Sequence, residues 1–492
     1  MTGISALGLH LPRLRLARSS MAAAMDWLSP RAPARGARTL AFWDEDPISM
    51  GVAAARASLV QAPQARAAIG ALTFATTTPV FAEPQNASLV HAALRLPERA
   101  ATQDTSGTLR CGLAALHTAL ENSRPALVVA ADCPTSPAGS LAEWRYGDGA
   151  AAALVNQGPA LLAYRGGASL TAPFIERYRA ADRPFATDWE ERWVREDGFL
   201  DFVPRAIAAA LAEAGLTAAD IHHLVLPCVI PGCAKAVAQA AGLGHARLAD
   251  DLGAECGDTG AAHGLMMLTH ALEDMQPGER VVVAQFGQGA TALVLEATDA
   301  IRGYSTGARA ALAAGIPETN YLKLPLFRGQ LAWERGLRGR LPVNEALTTA
   351  YRQAGALLGF VGGRCVETGR VQFPASRLPV TEAGLHRAPQ GPWPQEPPVQ
   401  EPWPLADLGG TVATATADRL AFSRHPPNCY GLVDLPGGGR LMMDFTDPDA
   451  ADLAPGDPVR FVFRVKDLDE RTGYRRYFWK AVADRPQPAP AA

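Results

Sequence analysis

No apolar run in this sequence approaches the ~18 to 20 residues that a helix needs to cross a bilayer. The N-terminus also lacks a basic segment followed by an apolar signal core, so the chain reads as cytoplasmic with no membrane partner. Nor does one charge dominate. The 46 Lys and Arg stand against 49 Asp and Glu, a net charge of −3, which leaves no basic face for nucleic acid. Cysteine is sparse: seven residues among 492, odd in number and scattered, which argues for reduced thiols rather than a disulfide framework.

What the chain has in quantity is apolar sequence, 48% of it, ample for the cores of two to four domains at this length. A strand-like ISALGLHLP opens the chain. In Trp43 to Leu59 the acids Asp44, Glu45 and Asp46 sit where negative charge favours a helix start, and Met50, Ala54 and Leu59 are spaced for a buried stripe. Ile69 to Phe74 reads as a buried strand ending in Ala75-Thr76-Thr77-Thr78-Pro79. Asp104 to Leu116, DTSGTLRCGLAAL, runs a Ser/Gly/Thr segment straight into a small-residue helix, and the apolar strand Ala126 to Asp132 follows. Such a turn aims one side chain into a cavity.

Gly147 and Gly149 lead into another buried strand, and the less regular Ala160 to Phe202 reads as a cap or dimer-side insertion. The alternation then returns, with helices over Phe202 to Leu216, Ala234 to Ala241 and Gly264 to Leu272, and strands at Leu224 to Leu226 and Val281 to Ala284. This echo over residues 1 to 300 argues for a layered α/β fold of duplicated halves.

The stretch DTSGTLRCGLAAL resembles the nucleophile turn of 3-hydroxy-3-methylglutaryl-CoA synthases and ketoacyl synthases III, members of the thiolase superfamily: Asp, four residues, Cys, then a small-residue helix. Counted from Asp104 the cysteine position is Leu109, and Gly112 and Leu116 hold the register from the other side. WDEDPISM likewise resembles the synthases' DEDxxTM helix start. The resemblance implies a five-layered αβαβα thiolase fold with its active site where the halves meet. It also assigns positions: the synthases' glutamate base falls on Thr77, the histidine that ends their strand on Pro227, and the oxyanion-binding asparagine, in Cys256-Gly-Asp-Thr-Gly-Ala-Ala-His263, on Asp258. Phe286-Gly287-Gln288-Gly289 is similar to the family's late glycine loop.

Catalysis by the synthases' own groups is therefore not expected. Relocated catalysis would fall to Cys111, Asp258 or His263. Cys111 could gain thiolate character from the helix start and Arg110, but two residues along a helix turn it about 200° away from Leu109. His222 and His223 belong to the far end of their strand, roughly 10 Å away at ~3.3 Å per residue, and Cys228 and Cys233 are too few for a metal.

From Tyr321 onward the chain resembles the zinc-ribbon-plus-OB-fold proteins of the domain of unknown function 35 family, which bind zinc through two CxxC pairs. Cys365 alone remains of the four. Thr368 stands at its partner position and the second pair falls near Pro379 and Glu382, so no zinc is expected. Strands at Gly410 to Thr416, Tyr430 to Leu435, Arg440 to Phe445, Val459 to Val465 and Tyr474 to Ala483 fit an OB barrel. Arg475, Tyr477 and Trp479 share one face of the last strand, a surface for a partner.

The expected domains are thiolase-like halves at 1–165 and 166–315, a helical linker with a degenerate zinc ribbon at 316–385, a Pro-rich linker at 386–404, the OB fold at 405–484 and a disordered tail at 485–492. The resemblance implies a non-catalytic structural or regulatory subunit of an acyl-CoA-handling thiolase or acyltransferase complex. The alternatives are an active condensing enzyme with relocated residues and an acyl-CoA-binding protein. A coenzyme A thioester is the expected ligand, with no tightly bound cofactor. Expected partners are a catalytic thiolase subunit, a second copy through the thiolase-fold dimer face, or both.

Overall fold

Two rounds of the same alternation build two five-stranded sheets. The computed structural model describes residues 2–29, 34–122, 124–334, 346–375, 400–469 and 471–484. The first half contains β1 (Thr2–His10), α1 (Pro47–Gln61), β2 (Ala71–Ala75), β3 (Ala101–Thr105), α2 (Cys111–Glu121), β4 (Ala126–Asp132) and β5 (Gly149–Gln157). The second contains β6 (Leu162–Thr171), α3 (Leu200–Ala214), β7 (His223–Val225), α4 (Cys233–Ala240), β8 (Arg247–Leu248), α5 (His263–Ala271), β9 (Arg280–Phe286) and β10 (Gly289–Ala297).

Strand order is β1-β5-β4-β2-β3 in one sheet and β6-β10-β9-β7-β8 in the other, joined where Gly3 and Ile4 pair with Ala163 and Leu162. Parallel and antiparallel neighbours fall at the same places in both orders, as a duplication requires. β4 and β9 are nearly continuous apolar runs because helices cover both of their faces.

α2 and α5 lie between the sheets, where Leu113, Leu116, Leu265, Met266 and Met267 form one buried cluster. α1 covers the outer face of the first sheet, and α3 and α4 that of the second, so the layers read αβαβα. The middle layer is tight at Gly112, where an added Cβ would sit 2.2 Å from the Ala261 carbonyl oxygen. Gly112→Ala is therefore expected to force the two halves apart and cost about 1–3 kcal/mol, read from the urea unfolding midpoint.

The expectation that Ala160 to Phe202 forms an insertion is corrected. Its first part is β6, a strand of the second sheet, so the second half begins at Leu162. Gly166 and Gly167 hid that strand in the sequence, because glycine lacks the side chain whose alternation marks a strand. Among the described residues no helix is long and apolar enough to cross a membrane.

The C-terminal strands β11 (Gly410–Asp418), β12 (Asn428–Asp434), β13 (Arg440–Asp444), β14 (Pro458–Asp469) and β15 (Tyr474–Ala483) pair in the order β13-β12-β11-β14-β15. A bridge between Phe445 and Ala481 closes them into a barrel. Val361–Cys365 pairs with Gln400–Pro404, so the end of the expected Pro-rich linker is a strand instead. The rest of that linker, Pro379, Glu382 and the tail lie outside the described residues.

The face carrying Arg475, Tyr477 and Trp479 is not a free surface either: it meets the first half of the same chain. Trp479 is buried, donates from Nε1 to the Leu358 carbonyl at 2.7 Å and lies under Arg56. Tyr477 donates its hydroxyl to Asp46 at 2.6 Å. The acids ahead of α1 form the socket. Asp46 caps α1 through Ser49 and also pairs with Arg475 at 3.0 Å, while Lys480 reaches Asp44 at 2.8 Å and Arg464 reaches Glu45 at 2.8 Å. An acidic helix start is thus also the seat of the barrel.

Candidate functional site

A cleft of about 120 Å³, partly open to solvent, lies where the two halves meet. Leu109 enters it from the turn before α2, Pro227 from the end of β7, and Asp258 from the loop ahead of α5. Three positions far apart in sequence thus line one cavity, as strand ends and helix starts of an α/β fold do at a ligand site.

Backbone and side-chain bonds fix Leu109 and Asp258. Gln285 donates from Nε2 to the Leu109 carbonyl at 2.9 Å, and its buried Oε1 has no partner among the described residues. The Asp258 N–H donates to the Arg145 carbonyl at 2.8 Å, and its Oδ1 accepts from Gly260 N–H at 2.9 Å. Val194, Phe199, Ile230 and Phe286 form the apolar wall, and Arg145 and Arg177 stand at the polar side.

Sequence reasoning missed several polar groups of the cleft, among them Glu176, Tyr146 and Cys228. Glu176 accepts from Gln288 N–H at 3.2 Å, and burial raises its pKa above the ordinary carboxylate value. Burial pushes the Tyr146 phenol up to about 12. Cys228, set aside as a lone thiol, lines the wall next to Pro227. The only sequence signal for Glu176 was its place in the irregular segment, since loops carry the side chains that a scaffold presents.

Thr77 does not line this cleft. Its hydroxyl donates to Asp132 Oδ2 at 2.9 Å and its N–H to Oδ1 at 2.7 Å. Asp132, at the end of β4, also accepts from the hydroxyls of Thr76 and Thr78, the N–H of Thr78 and the N–H of Ala261 in the second half. The threonine run is thus tied to a buried carboxylate.

Cys111 and His263 do not reach the cleft either. Cys111 is 1% exposed within the middle layer, and burial, assisted by Asp132, raises its thiol far above the ordinary value despite Arg110. Arg110 turns the other way, to the Gly287 carbonyl at 2.7 Å and Thr291 at 2.9 Å. His263 has both ring nitrogens engaged, with Thr259 at 3.1 Å and the Asp251 carbonyl at 2.9 Å. His223 pairs with Glu279 at 2.9 Å, away from the cleft. Cys365 accepts a hydrogen bond from Thr368, and among the described residues no group of three or more His, Cys, Asp or Glu is placed to hold a metal.

Comparison with known proteins gives the same two parts. Residues 211–296 match the model of the 3-oxoacyl-[acyl-carrier-protein] synthase III C terminal, and residues 387–464 match that of the ChsH2 C-terminal OB-fold domain. The chain joins a thiolase-fold body to an OB-fold domain. The thiolase-fold body is similar to hydroxymethylglutaryl-CoA synthase of Caldivirga maquilingensis, 24% identical over 328 residues, covering 61% of this chain and 89% of that enzyme. In fold it is similar to 3-oxoacyl-(acyl carrier protein) synthase III of Pseudomonas aeruginosa PAO1, with a TM-score of 0.52 and 26% identity over 60% of this chain and 98% of that one. It also resembles an HMG-CoA synthase complexed with CoA, with a TM-score of 0.58 and 17% identity over 70% of this chain and 94% of that one. The OB-fold domain begins beyond the region that matches the synthases and packs back onto the thiolase-fold body through the acids before α1.

Proposed function

We propose that this chain is a non-catalytic subunit of an acyl-CoA-handling assembly: its cleft holds a coenzyme A thioester without attacking it, and a catalytic thiolase-fold chain supplies the chemistry. The observation that carries this reading is the convergence of Leu109, Pro227 and Asp258 on one cleft. Acyl transfer of the synthase type needs a sulfur nucleophile, an imidazole to move its proton and donors for the oxyanion. At the matching positions stand an aliphatic group, a ring with neither donor nor acceptor, and a carboxylate whose oxygens accept.

The apolar wall suits an acyl chain, and a relative in fold is described in complex with CoA. Self-association has support as well. Among the described residues β3 ends the first sheet with one edge unpaired, and an unpaired edge invites pairing with a second copy. Of the residues to which catalysis could have moved, Asp258 lines the cleft and Cys111 and His263 do not.

The test is thioester turnover. The purified full-length chain with acetyl-CoA, followed by a thiol reagent, should release CoA no faster than buffer does. Native mass spectrometry should show a homodimer, or a heteromer once a catalytic thiolase-fold chain is added. Release of CoA at an enzymatic rate by this chain alone would overturn the reading.

A further inference from the structure

The charged residues that line the cleft are four acids, Glu176, Asp188, Glu191 and Asp258, and two arginines, Arg145 and Arg177. Arg145 is taken by Glu191 at 2.7 Å, and Arg177 lies opposite Asp188 where two short strands pair. Glu176 and Asp258 are left. Among the described residues neither makes a salt bridge, and Arg177 and Arg110 act on Glu176 only from a distance.

A third acceptor sits at the base of the cleft. Gln285 lines it and is 3% exposed, and its Nε2 donation to the Leu109 carbonyl at 2.9 Å fixes which way the amide faces. Oε1 therefore turns to the side of Pro227: a Cβ added to Gly264 would sit 3.0 Å from that oxygen and 3.5 Å from Pro227 Cγ. Among the described residues no donor reaches it. Asp258 accepts from Gly260 N–H through Oδ1 at 2.9 Å, which leaves its second oxygen open. The rings of Tyr146, Phe199 and Phe286 complete the surroundings, and aromatic faces attract a cation as well as an alkyl chain.

A thioester carbonyl only accepts, so it satisfies none of these oxygens. A buried acceptor without a donor is costly, and a buried carboxylate without a cation more so. We propose that the acyl group held in the cleft carries a protonated amine, whose charge is met by Asp258 and Glu176 and whose N–H groups are accepted by Asp258 and Gln285. The inference names the acyl class of the ligand proposed above and rests on that reading for the thioester carrier alone. An ammonium brings three donors and the missing positive charge. A hydroxyl brings one donor and leaves both carboxylates uncompensated. The alkyl stem lies on the apolar wall, and a cleft of about 120 Å³ suits a short one.

Isothermal titration calorimetry of the full-length chain at neutral pH compares three coenzyme A thioesters that differ only in their terminal group: 3-aminopropionyl, 3-hydroxypropionyl and butyryl. The aminoacyl thioester should bind about tenfold tighter than either of the others. Asp258→Asn, which keeps an oxygen for Gly260 N–H, should remove that preference. The N-acetylcysteamine thioesters of the same three acids repeat the comparison without the nucleotide. Equal or tighter binding of the butyryl or hydroxypropionyl compound would overturn the proposal and leave the coenzyme A reading standing. A preference that survives Asp258→Asn, or no binding of any compound on either carrier, would also overturn it. The aminoacyl preference on N-acetylcysteamine, with no coenzyme A thioester bound, would uphold it and sink the carrier assigned above.

Discussion

Arg464→Met is expected to destabilise the chain by about 3–5 kcal/mol, the cost of stripping the cation from a buried charge cluster. Arg464 pairs with Glu45 at 2.8 Å and Asp447 at 2.9 Å and lies 3.7 Å from Asp44. Lys480 remains on Asp44 but has no contact with Glu45 or Asp447 that could replace the lost one. Because the cluster joins the OB-fold domain to the thiolase-fold body, the loss should appear first as protease sensitivity of the barrel and as an earlier unfolding transition in urea.

The same cluster sets an acid limit. Burial alone would raise the Glu45 carboxyl, but Arg464, His10 and the N–H of Phe42 outweigh it and hold the pKa at about 2, below the ordinary 4.5. A depressed carboxylate pKa adds stability that is present above the unfolded value and is lost as pH falls towards the folded one. The seat of the barrel should therefore hold at pH 6 and weaken between roughly pH 4.5 and 2, by an amount on the order of 3 kcal/mol. Far-UV circular dichroism with limited proteolysis across that range reads it.

Asp132→Ala should have the other large effect. It strands the hydroxyls of Thr76, Thr77 and Thr78 and the N–H groups of Thr77 and Ala261, while the Thr78 N–H keeps the Thr76 hydroxyl at 3.1 Å. Each orphaned buried donor costs about 1–3 kcal/mol, and partial rehydration reduces the sum, so a total of about 4 kcal/mol or more is expected. Since Ala261 belongs to the second half, the substitution should also loosen the contact between the halves that shapes the cleft. Asp132→Asn, which keeps one acceptor oxygen, should lose less.

The layered α/β core was legible because its signals are local. β4 and β9 are short apolar runs, α1, α2 and α5 carry small or apolar residues at helical spacing, and turns punctuate both. The convergence of Leu109, Pro227 and Asp258 was legible through a spacing shared with the synthases, which carries a whole topology with it.

What failed to show depends on partners distant in sequence. Asp44, Glu45 and Asp46 read as a helix start because their cations, Arg464, Lys480 and Arg475, lie some 400 residues away. Tyr477 and Trp479 read as a surface because alternation marks a face without saying what covers it. Thr77 read as one of a run of threonines, since nothing local announces that a single buried carboxylate gathers their hydroxyls.

The absence of a nucleophile at the mouth of helix α2 is most directly tested by intact-mass spectrometry after incubation with acetyl-CoA, run on the wild-type chain beside Leu109→Cys. The wild-type mass should stay unchanged, and Leu109→Cys should gain one acetyl group that peptide mapping places on residue 109. An acetylated cysteine in the wild-type chain would contradict the account.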